Sequence, residues 1–153
     1  MNPSTWLKAC EQAYPQVYRA LVGIGARPDE AADAVQDAFE RALREDAHVE
    51  NPAGWLFVVA KRRWQRRRLR EGLFRPLGPA HPSDVAGVNV LKIALVEELK
   101  RLPRRQREVL VCRYLLDLTQ AETAAALGVA VGTVAATTAQ ATRRLKQRLE
   151  VAV

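Results

Sequence analysis

Cysteine and histidine are both scarce in this sequence, with two of each among 153 residues. Cys10 and Cys112 lie far apart and show no CxxC spacing, so neither a disulfide nor a zinc site is expected. We expect both to be reduced thiols that pack in the interior like small hydrophobic residues. His48 and His81 stand alone in polar or proline-rich segments, which argues against a metal site. The sequence therefore predicts no cofactor.

Long apolar runs are also missing. No stretch approaches the roughly 20 residues of a membrane span. The N-terminal segment MNPSTWLKACEQAY lacks the basic and apolar regions of a signal peptide. We therefore expect a cytoplasmic protein with no membrane partner. The dense apolar runs WLFVVA and VLVC follow helical periodicity and nothing is typical of a strand, so the fold is predicted to be all-α.

Charge is distributed unevenly around a net value of +7. Residues 1–50 hold 5 Lys and Arg against 9 Asp and Glu, whereas residues 51–75 hold 8 against 1. Most of this basic block is KRRWQRRRLR, residues 61–70, with seven cations around Trp64. The contrast indicates two partner surfaces of opposite character, one of them suited to a polyanion.

Three helices are predicted in the first seventy residues. The first covers 4–22, with Ser4 or Thr5 as N-cap, and Pro15 should kink it or split it in two. Its apolar positions are Leu7, Cys10, Tyr14, Val17, Tyr18 and Leu21. The second helix begins at Pro28, and the third covers about 52–70 with Asn51 as its cap. The apolar stripe of the second consists of Ala31, Val35, Ala38, Phe39, Ala42 and Leu43, with Asp33, Asp37 and Glu40 on another face.

Proline and glycine are frequent in residues 71–90, which we interpret as an interdomain linker. Helices are then predicted over about 91–101, 104–117, 120–127 and 131–150. Thr119 and Glu122 have the spacing of a capping box, and Gly128 closes the third of these helices. The last two helices and their Gly-containing turn have the pattern of a helix-turn-helix, with Ala124, Leu127 and Val134 as its core. An ordinary helical hairpin is the alternative.

These segments match a known family. The stretch LPRRQREVLVCRYLLDLTQAETAAALGVAVGTV resembles region 4 of bacterial sigma-70-type factors, and DEAADAVQDAFERAL followed by NPAGWLFVVAKRRW resembles region 2. With both regions and a short linker, the chain resembles an extracytoplasmic-function (group 4) sigma factor. The resemblance implies a region 2 helical bundle in 1–72, a linker in 73–92 and a region 4 helix-turn-helix domain in 93–153. It implies no enzymatic activity and no small-molecule substrate.

The resemblance also implies three surfaces. Core RNA polymerase would be bound through its β′ clamp helices and β flap, and promoter DNA through its minus-10 and minus-35 elements, with an anti-sigma factor as a possible further partner. The implied polymerase-binding residues are Asp33, Val35, Gln36, Asp37, Phe39 and Glu40. The implied minus-10 residues are Asn51, Trp55, Lys61, Arg62, Arg63, Trp64, Arg66 and Arg67. The implied minus-35 residues are Thr119, Gln120, Thr133, Thr137, Thr138, Gln140, Arg143 and Arg144.

Two departures from the family pattern affect these expectations. Arg62 and Arg66 stand where the family commonly has Asn and Asp, which favours attraction to the DNA backbone. The recognition helix has Ala135, Ala136 and Thr137 where the family usually has basic residues and a serine, so a weak, AT-leaning or lost minus-35 contact is expected. On that basis, Thr137→Arg should restore a phosphate contact.

Several alternatives stay open at this point. Trp55 and Phe57 suit core packing better than base contact, and Trp64 suits either. A sigma-like regulator that binds polymerase but has lost promoter selection is the second functional hypothesis. A small nuclease is a third, but no cluster of His, Asp and Glu with catalytic spacing supports it.

Overall fold

The computed structural model describes residues 3–45, 51–71 and 97–152. These residues form helices, turns and loops with no strand among them, which confirms the all-α prediction. They fall into two compact units, one containing most of residues 3–71 and one containing residues 97–152. His48, His81, the loop before Asn51 and the predicted linker lie outside the described residues, so the domain limits at 72 and 93 stay predictions.

The N-terminal unit begins with α1, Pro3–Gly23. The prediction of a cap at Ser4 or Thr5 is wrong, because the helix already includes both residues. The predicted split at Pro15 is also wrong, since Pro15 lies inside one continuous helix. Pro15 is exposed, so water can serve the carbonyl that its missing N–H leaves without a donor.

The next two helices follow the sequence predictions closely. α2 covers Pro28–Arg44 and α3 covers Pro52–Arg70. The Asn51 side chain caps α3, where its Oδ1 accepts a hydrogen bond from Gly54 N at 3.1 Å. At the start of α2, Arg27 N donates to Glu30 Oε1 at 3.0 Å. Both starts are therefore fixed by local signals that the sequence itself carries.

The core of this unit centres on aromatic and small side chains. Trp6 is buried, donates from Nε1 to the carbonyl of Ala42 at 3.2 Å, and meets Trp55 edge-on with 5.4 Å between ring centroids. The apolar face of α1 is turned by about one position from the predicted one, since Leu7, Tyr14 and Tyr18 are only half-buried. The residues of α1 that fill the core are Trp6, Cys10, Ala13, Val17, Ala20 and Leu21.

Two further positions in this unit bear on the sequence predictions. Leu43 was expected in the apolar stripe of α2 but is 55% exposed, and Ala34 is buried in addition to the predicted positions. Cys10 is a free, buried thiol, as is Cys112 in the other unit, which confirms both predictions. Burial raises the pKa of the Cys10 thiol to about 11, because the thiolate is poorly solvated there.

The C-terminal unit contains helical residues 97–101, followed by α4 over Arg104–Leu110. α4 continues as a π-helical turn over Val111–Leu115, so the helix predicted for 104–117 ends two residues early and changes its winding. Asp117 then adopts a left-handed φ of 52°. A small core of Leu99, Leu102, Leu110 and Ala141 joins α4 to the last helix.

The unit ends with α5, Gln120–Leu127, and α6, Val131–Ala152. The capping box is present as predicted: Thr119 N donates to Glu122 Oε1 at 2.9 Å, and Glu122 N donates to Thr119 Oγ1 at 3.0 Å. Gly128 closes α5 with a left-handed φ of 68°. Glycine adopts this conformation without the steric cost that a Cβ would bring.

Candidate nucleic-acid interface

The two helices α5 and α6 have the geometry of a helix-turn-helix. Their axes bend by 101° across a three-residue turn that contains Gly128, which lies within the range for this motif. The predicted core residues Ala124, Leu127 and Val134 are all buried. Arg105 of α4 donates to the carbonyl of Leu127 at 3.3 Å and so supports the end of α5. The N-terminal part of α6 is therefore held at a fixed angle on a small scaffold.

The exposed face of α6 carries only some of the predicted minus-35 residues. Thr133, Gln140, Arg143 and Arg144 are exposed, as are Thr119 and Gln120 at the start of α5. Thr137 is only 9% exposed and lies on the buried side of α6 together with Val134 and Ala141. Thr138 is half-buried, and its hydroxyl donates to the carbonyl of Val134 at 2.7 Å. The Thr137 side chain is thus buried, and the Thr138 hydroxyl is hydrogen-bonded within α6.

A shallow groove lies along the C-terminal half of α6. It is lined by Gln106, Gln140, Arg143, Arg144 and Gln147. Gln106, from α4, and Gln147 were not predicted as site residues. The spacing of Gln147, seven residues after Gln140, could have indicated it, whereas only the tertiary structure brings Gln106 to this groove. The lining combines positive charge with amide groups, which suits an anionic backbone.

The basic tract of α3 is divided between several environments. Trp64 is 7% exposed and packs in the core, with the Arg68 guanidinium 5.1 Å from its ring centroid. Trp64 therefore extends the buried face of α3, and Phe57 is buried on the same helix. Trp55 is half-buried against Trp6. Of the aromatic residues considered for base contact, only Trp55 keeps part of its surface accessible.

Arginines 63 and 67 of α3 meet the acidic residues of α2. Arg67 Nη1 is hydrogen-bonded to Asp33 Oδ2, and Arg63 Nε lies 3.8 Å from Asp37 Oδ2. Arg67 also donates from Nε to Glu71 Oε1 at 3.2 Å. The hydrogen bonds to Asp33 and then to Glu71 raise the pKa of Arg67. We call Asp33, Asp37, Arg63 and Arg67 the charge ladder.

The charge ladder joins residues that the sequence assigned to different surfaces. Asp33 and Asp37 were expected to meet polymerase, and Arg63 and Arg67 to meet DNA. In the fold they lie on adjacent antiparallel helices, where the pairs 33–67 and 37–63 fall in register. Sequence periodicity could give the face of each helix, but it could not give the register between them.

The remaining predicted polymerase-binding residues lie at different depths on α2. Gln36 and Glu40 are exposed, Phe39 is half-buried with its ring 6.3 Å from that of Tyr14, and Val35 is fully buried. Gln36 and Glu40 are thus directly accessible to a partner. Val35 belongs to the core and supports the surface from beneath.

No group of three or more His, Cys, Asp or Glu residues with metal-binding geometry occurs within the described ranges. In those same ranges, no single helix is long and apolar enough to cross a membrane, although α5 and α6 as a bent pair meet the test of length and composition.

Comparison with known families gives two matches in chain order. The family model for Sigma-70 region 2 matches residues 9–73, and the model for Sigma-70 region 4 matches residues 92–145. The chain is also 33% identical over 132 residues to the RNA polymerase sigma-E factor of Streptomyces avermitilis. That match covers 86% of this chain and 67% of the relative.

Solved structures show the same fold at lower identity. The sigma factor RpoE of Bartonella quintana, in complex with the anti-sigma factor NepR, is 24% identical with a TM-score of 0.74, covering 92% of this chain and 93% of that one. CnrH, in complex with the cytosolic domain of CnrY, is 24% identical with a TM-score of 0.71, covering 98% and 90%. The two region matches and the sigma-E relative assign this chain to the sigma-70 family of RNA polymerase sigma factors.

Proposed function

We propose that this protein is an alternative sigma factor of the extracytoplasmic-function group. It binds core RNA polymerase, directs it to a subset of promoters and promotes opening of the minus-10 element. The observation that carries the proposal is the pairing of a region 2 unit and a region 4 helix-turn-helix in one chain. The comparisons do not favour the alternative of a sigma-like regulator without promoter selection.

Polymerase binding is assigned to the outer face of α2. Gln36 and Glu40 are exposed there, and Asp33 and Asp37 add negative charge beside them. An acidic surface of this kind suits a basic partner surface on the β′ clamp helices. Val35 and Phe39 hold the helix in place from the core side.

Promoter contacts are assigned to both units. The exposed arginines of α3 and the cap residue Asn51 face the minus-10 element, with Trp55 as the accessible aromatic side chain. Gln120, Thr133 and Gln140 are exposed and are assigned to base edges, and the exposed Arg143 and Arg144 are assigned to phosphates. Glutamine can pair with adenine and the threonine methyl can touch thymine, so the proposed minus-35 preference is AT-leaning.

Three further assignments complete the proposal. The protein has no catalytic activity of its own, and acts only by positioning polymerase and DNA. It works in the cytoplasm, where RNA polymerase acts. Because its structural relative RpoE is bound to the anti-sigma factor NepR, an anti-sigma protein is a further partner of this chain.

Reconstitution tests the proposal directly. Purified protein is combined with core RNA polymerase from the same organism and a library of genomic promoter fragments, and run-off transcripts are sequenced. We expect transcripts from a limited set of start sites that depend on both protein and core. Core binding without specific transcripts would instead favour the regulator without promoter selection. Cleavage of DNA in the absence of polymerase would overturn the assignment as a non-enzyme.

A further inference from the structure

The seven cations of residues 61–70 do not share one environment. Arg63 and Arg67 are held in the charge ladder, and the Arg68 guanidinium lies near the Trp64 ring, 5.1 Å from its centroid. Arg62, Arg66 and Arg70 are exposed, and within the described part of the chain they make no ion pair. Among the described residues, the tract therefore contains arginines with acidic partners and arginines without them.

The unpaired arginines form a continuous line. Arg62, Arg66 and Arg70 are spaced four residues apart, so they lie on one side of α3 with about 6 Å of axial rise between neighbours. The paired arginines, Arg63 and Arg67, follow the adjacent line that faces α2. One helix therefore presents a free cationic line beside a line that its neighbour neutralises.

We propose that the unpaired line Arg62–Arg66–Arg70 is the part of α3 that grips the phosphates of single-stranded promoter DNA, while Asp33 and Asp37 withhold Arg63 and Arg67 from DNA in the free protein. The proposal rests on the proposed function and refines its minus-10 surface. It also adds Arg70, which the sequence had not assigned, and moves Arg63 and Arg67 to the polymerase side.

The acids act on DNA binding in two ways. Arg67, which is hydrogen-bonded to Asp33, must give up that contact before it can bind a phosphate, and Arg63 must leave its ion pair with Asp37. The carboxylate itself also repels a phosphate brought near it. Because the pairs of the charge ladder are solvent-exposed, each acts weakly, and together they lower DNA affinity by less than about thirtyfold. A partner that occupies Asp33 and Asp37 would release Arg63 and leave Arg67 with Glu71 alone, so polymerase binding would enlarge the cationic surface.

Salt dependence measures how many phosphates a protein neutralises. For single strands, the slope of log K against log salt changes by about 0.7 for each phosphate contact. The full chain is titrated against a fluorescently labelled single-stranded oligonucleotide of mixed sequence, at several salt concentrations. Two double variants remove the same charge from the two lines: Arg62→Gln with Arg66→Gln, and Arg63→Gln with Arg67→Gln.

We expect the Arg62/Arg66 variant to lower the magnitude of the slope by about 1.4, since it removes two phosphate contacts. The Arg63/Arg67 variant should leave the slope close to that of the unchanged protein. Equal losses in both variants, a larger loss in the Arg63/Arg67 variant, or no measurable binding by the unchanged protein would each overturn the proposal.

A gain of binding provides the second arm, which a folding defect cannot imitate. Asp33→Asn with Asp37→Asn should steepen the slope by about 0.7 to 1.4, because Arg63 is released and Arg67 keeps only its pair with Glu71. Glu11→Gln with Glu150→Gln removes the same charge from exposed positions outside the charge ladder and should leave the slope unchanged. An equal gain in both variants would mean that net charge alone is responsible.

Run-off transcription with the same variants tests the proposed function separately from the salt slopes. Specific transcripts together with equal slopes would overturn the division of the basic tract and leave the sigma-factor assignment in place. Unequal slopes without any specific transcript would support the division of the basic tract and overturn the sigma-factor assignment.

Discussion

Thr137 and Trp64 lie among residues expected to meet DNA, yet both side chains are in the interior. Thr137 joins Val134 and Ala141 on the buried side of α6, and Trp64 joins Phe57 on the buried side of α3. The Trp64 Nε1 has no hydrogen-bond partner among the described residues, so packing holds the indole in place. The side of the helix on which a residue lies therefore decides whether its side chain packs in the core or can reach a partner.

Thr137→Arg should therefore destabilise the helix-turn-helix instead of tightening DNA binding. A guanidinium at this buried position would be overpacked and poorly solvated, so we expect a loss of at least about 2 kcal/mol in the free energy of unfolding. Urea denaturation of the full chain measures it. The sequence alone predicted a new phosphate contact for this variant, and the structure changes that prediction because the Thr137 side chain is buried.

Ala136→Arg is the matched control, since Ala136 is exposed on the neighbouring side of α6. It should leave the unfolding free energy within about 0.5 kcal/mol. It should also add a phosphate contact on minus-35 duplex DNA, with about 0.9 more in the salt slope. If Ala136→Arg leaves the affinity and slope unchanged, this face of α6 does not enter the groove.

Individual elements were predictable where their ends carry local signals. α3 begins after Asn51 and ends at Arg70, as predicted, because an N-cap and a proline fix its start. The capping box at Thr119 and the glycine at 128 likewise fixed α5. Pro15 misled because its effect depends on burial, which the sequence does not state. The π-helical turn after Leu110 and the register of α2 against α3 depend on tertiary packing, so neither was predicted.

Gly128→Ala tests the most specific of these local signals. Nothing lies within 4 Å of a Cβ built at Gly128, so the cost comes only from its left-handed φ of 68°. We expect a loss of about 1 kcal/mol in unfolding free energy.

Gly132→Ala provides the comparison within the next helix. A Cβ there also meets nothing within 4 Å, but the residue is helical. Alanine should stabilise the chain by up to about 1 kcal/mol, because it loses less backbone entropy on folding. Opposite signs in thermal denaturation are expected; a loss of similar size in both would rule out backbone conformation as the cause.

The whole molecule carries a net charge of +7, although residues 1–50 are acidic on balance and residues 51–75 are strongly basic. Some of these opposite charges are paired within the protein, because acids of α2 form ion pairs with arginines of α3 in the charge ladder. Outside those pairs, Glu40 stays exposed on α2, and Arg62, Arg66 and Arg70 stay exposed on α3. Net charge alone would therefore overstate the attraction of this protein for DNA and understate its fitness for a basic partner.

Glu40→Arg should weaken binding to core RNA polymerase by about tenfold or more, because it places like charges across the proposed interface. Glu11→Arg makes the same change in net charge on the exposed side of α1 and should have little effect. Fluorescence titration of labelled full-length variants with core enzyme measures both. Equal losses would show that the outer face of α2 is not the polymerase-binding surface.

The π-helical turn over Val111–Leu115 sets the rotational phase between α4 and the helix-turn-helix. A π turn holds one more residue per hydrogen-bonded ring than an α turn. Because this extra residue is accommodated in one wide turn, deleting one residue there would let α4 continue as a regular helix with the following residues near their present rotational phase. A deletion within Arg104–Leu110, where the helix is regular, would instead rotate every later residue by about 100° around the axis. Leu118, which is buried and donates to the carbonyl of Cys112 at 3.0 Å, would then leave its place. In homologous chains, single deletions should therefore be tolerated better within Val111–Leu115 than within Arg104–Leu110.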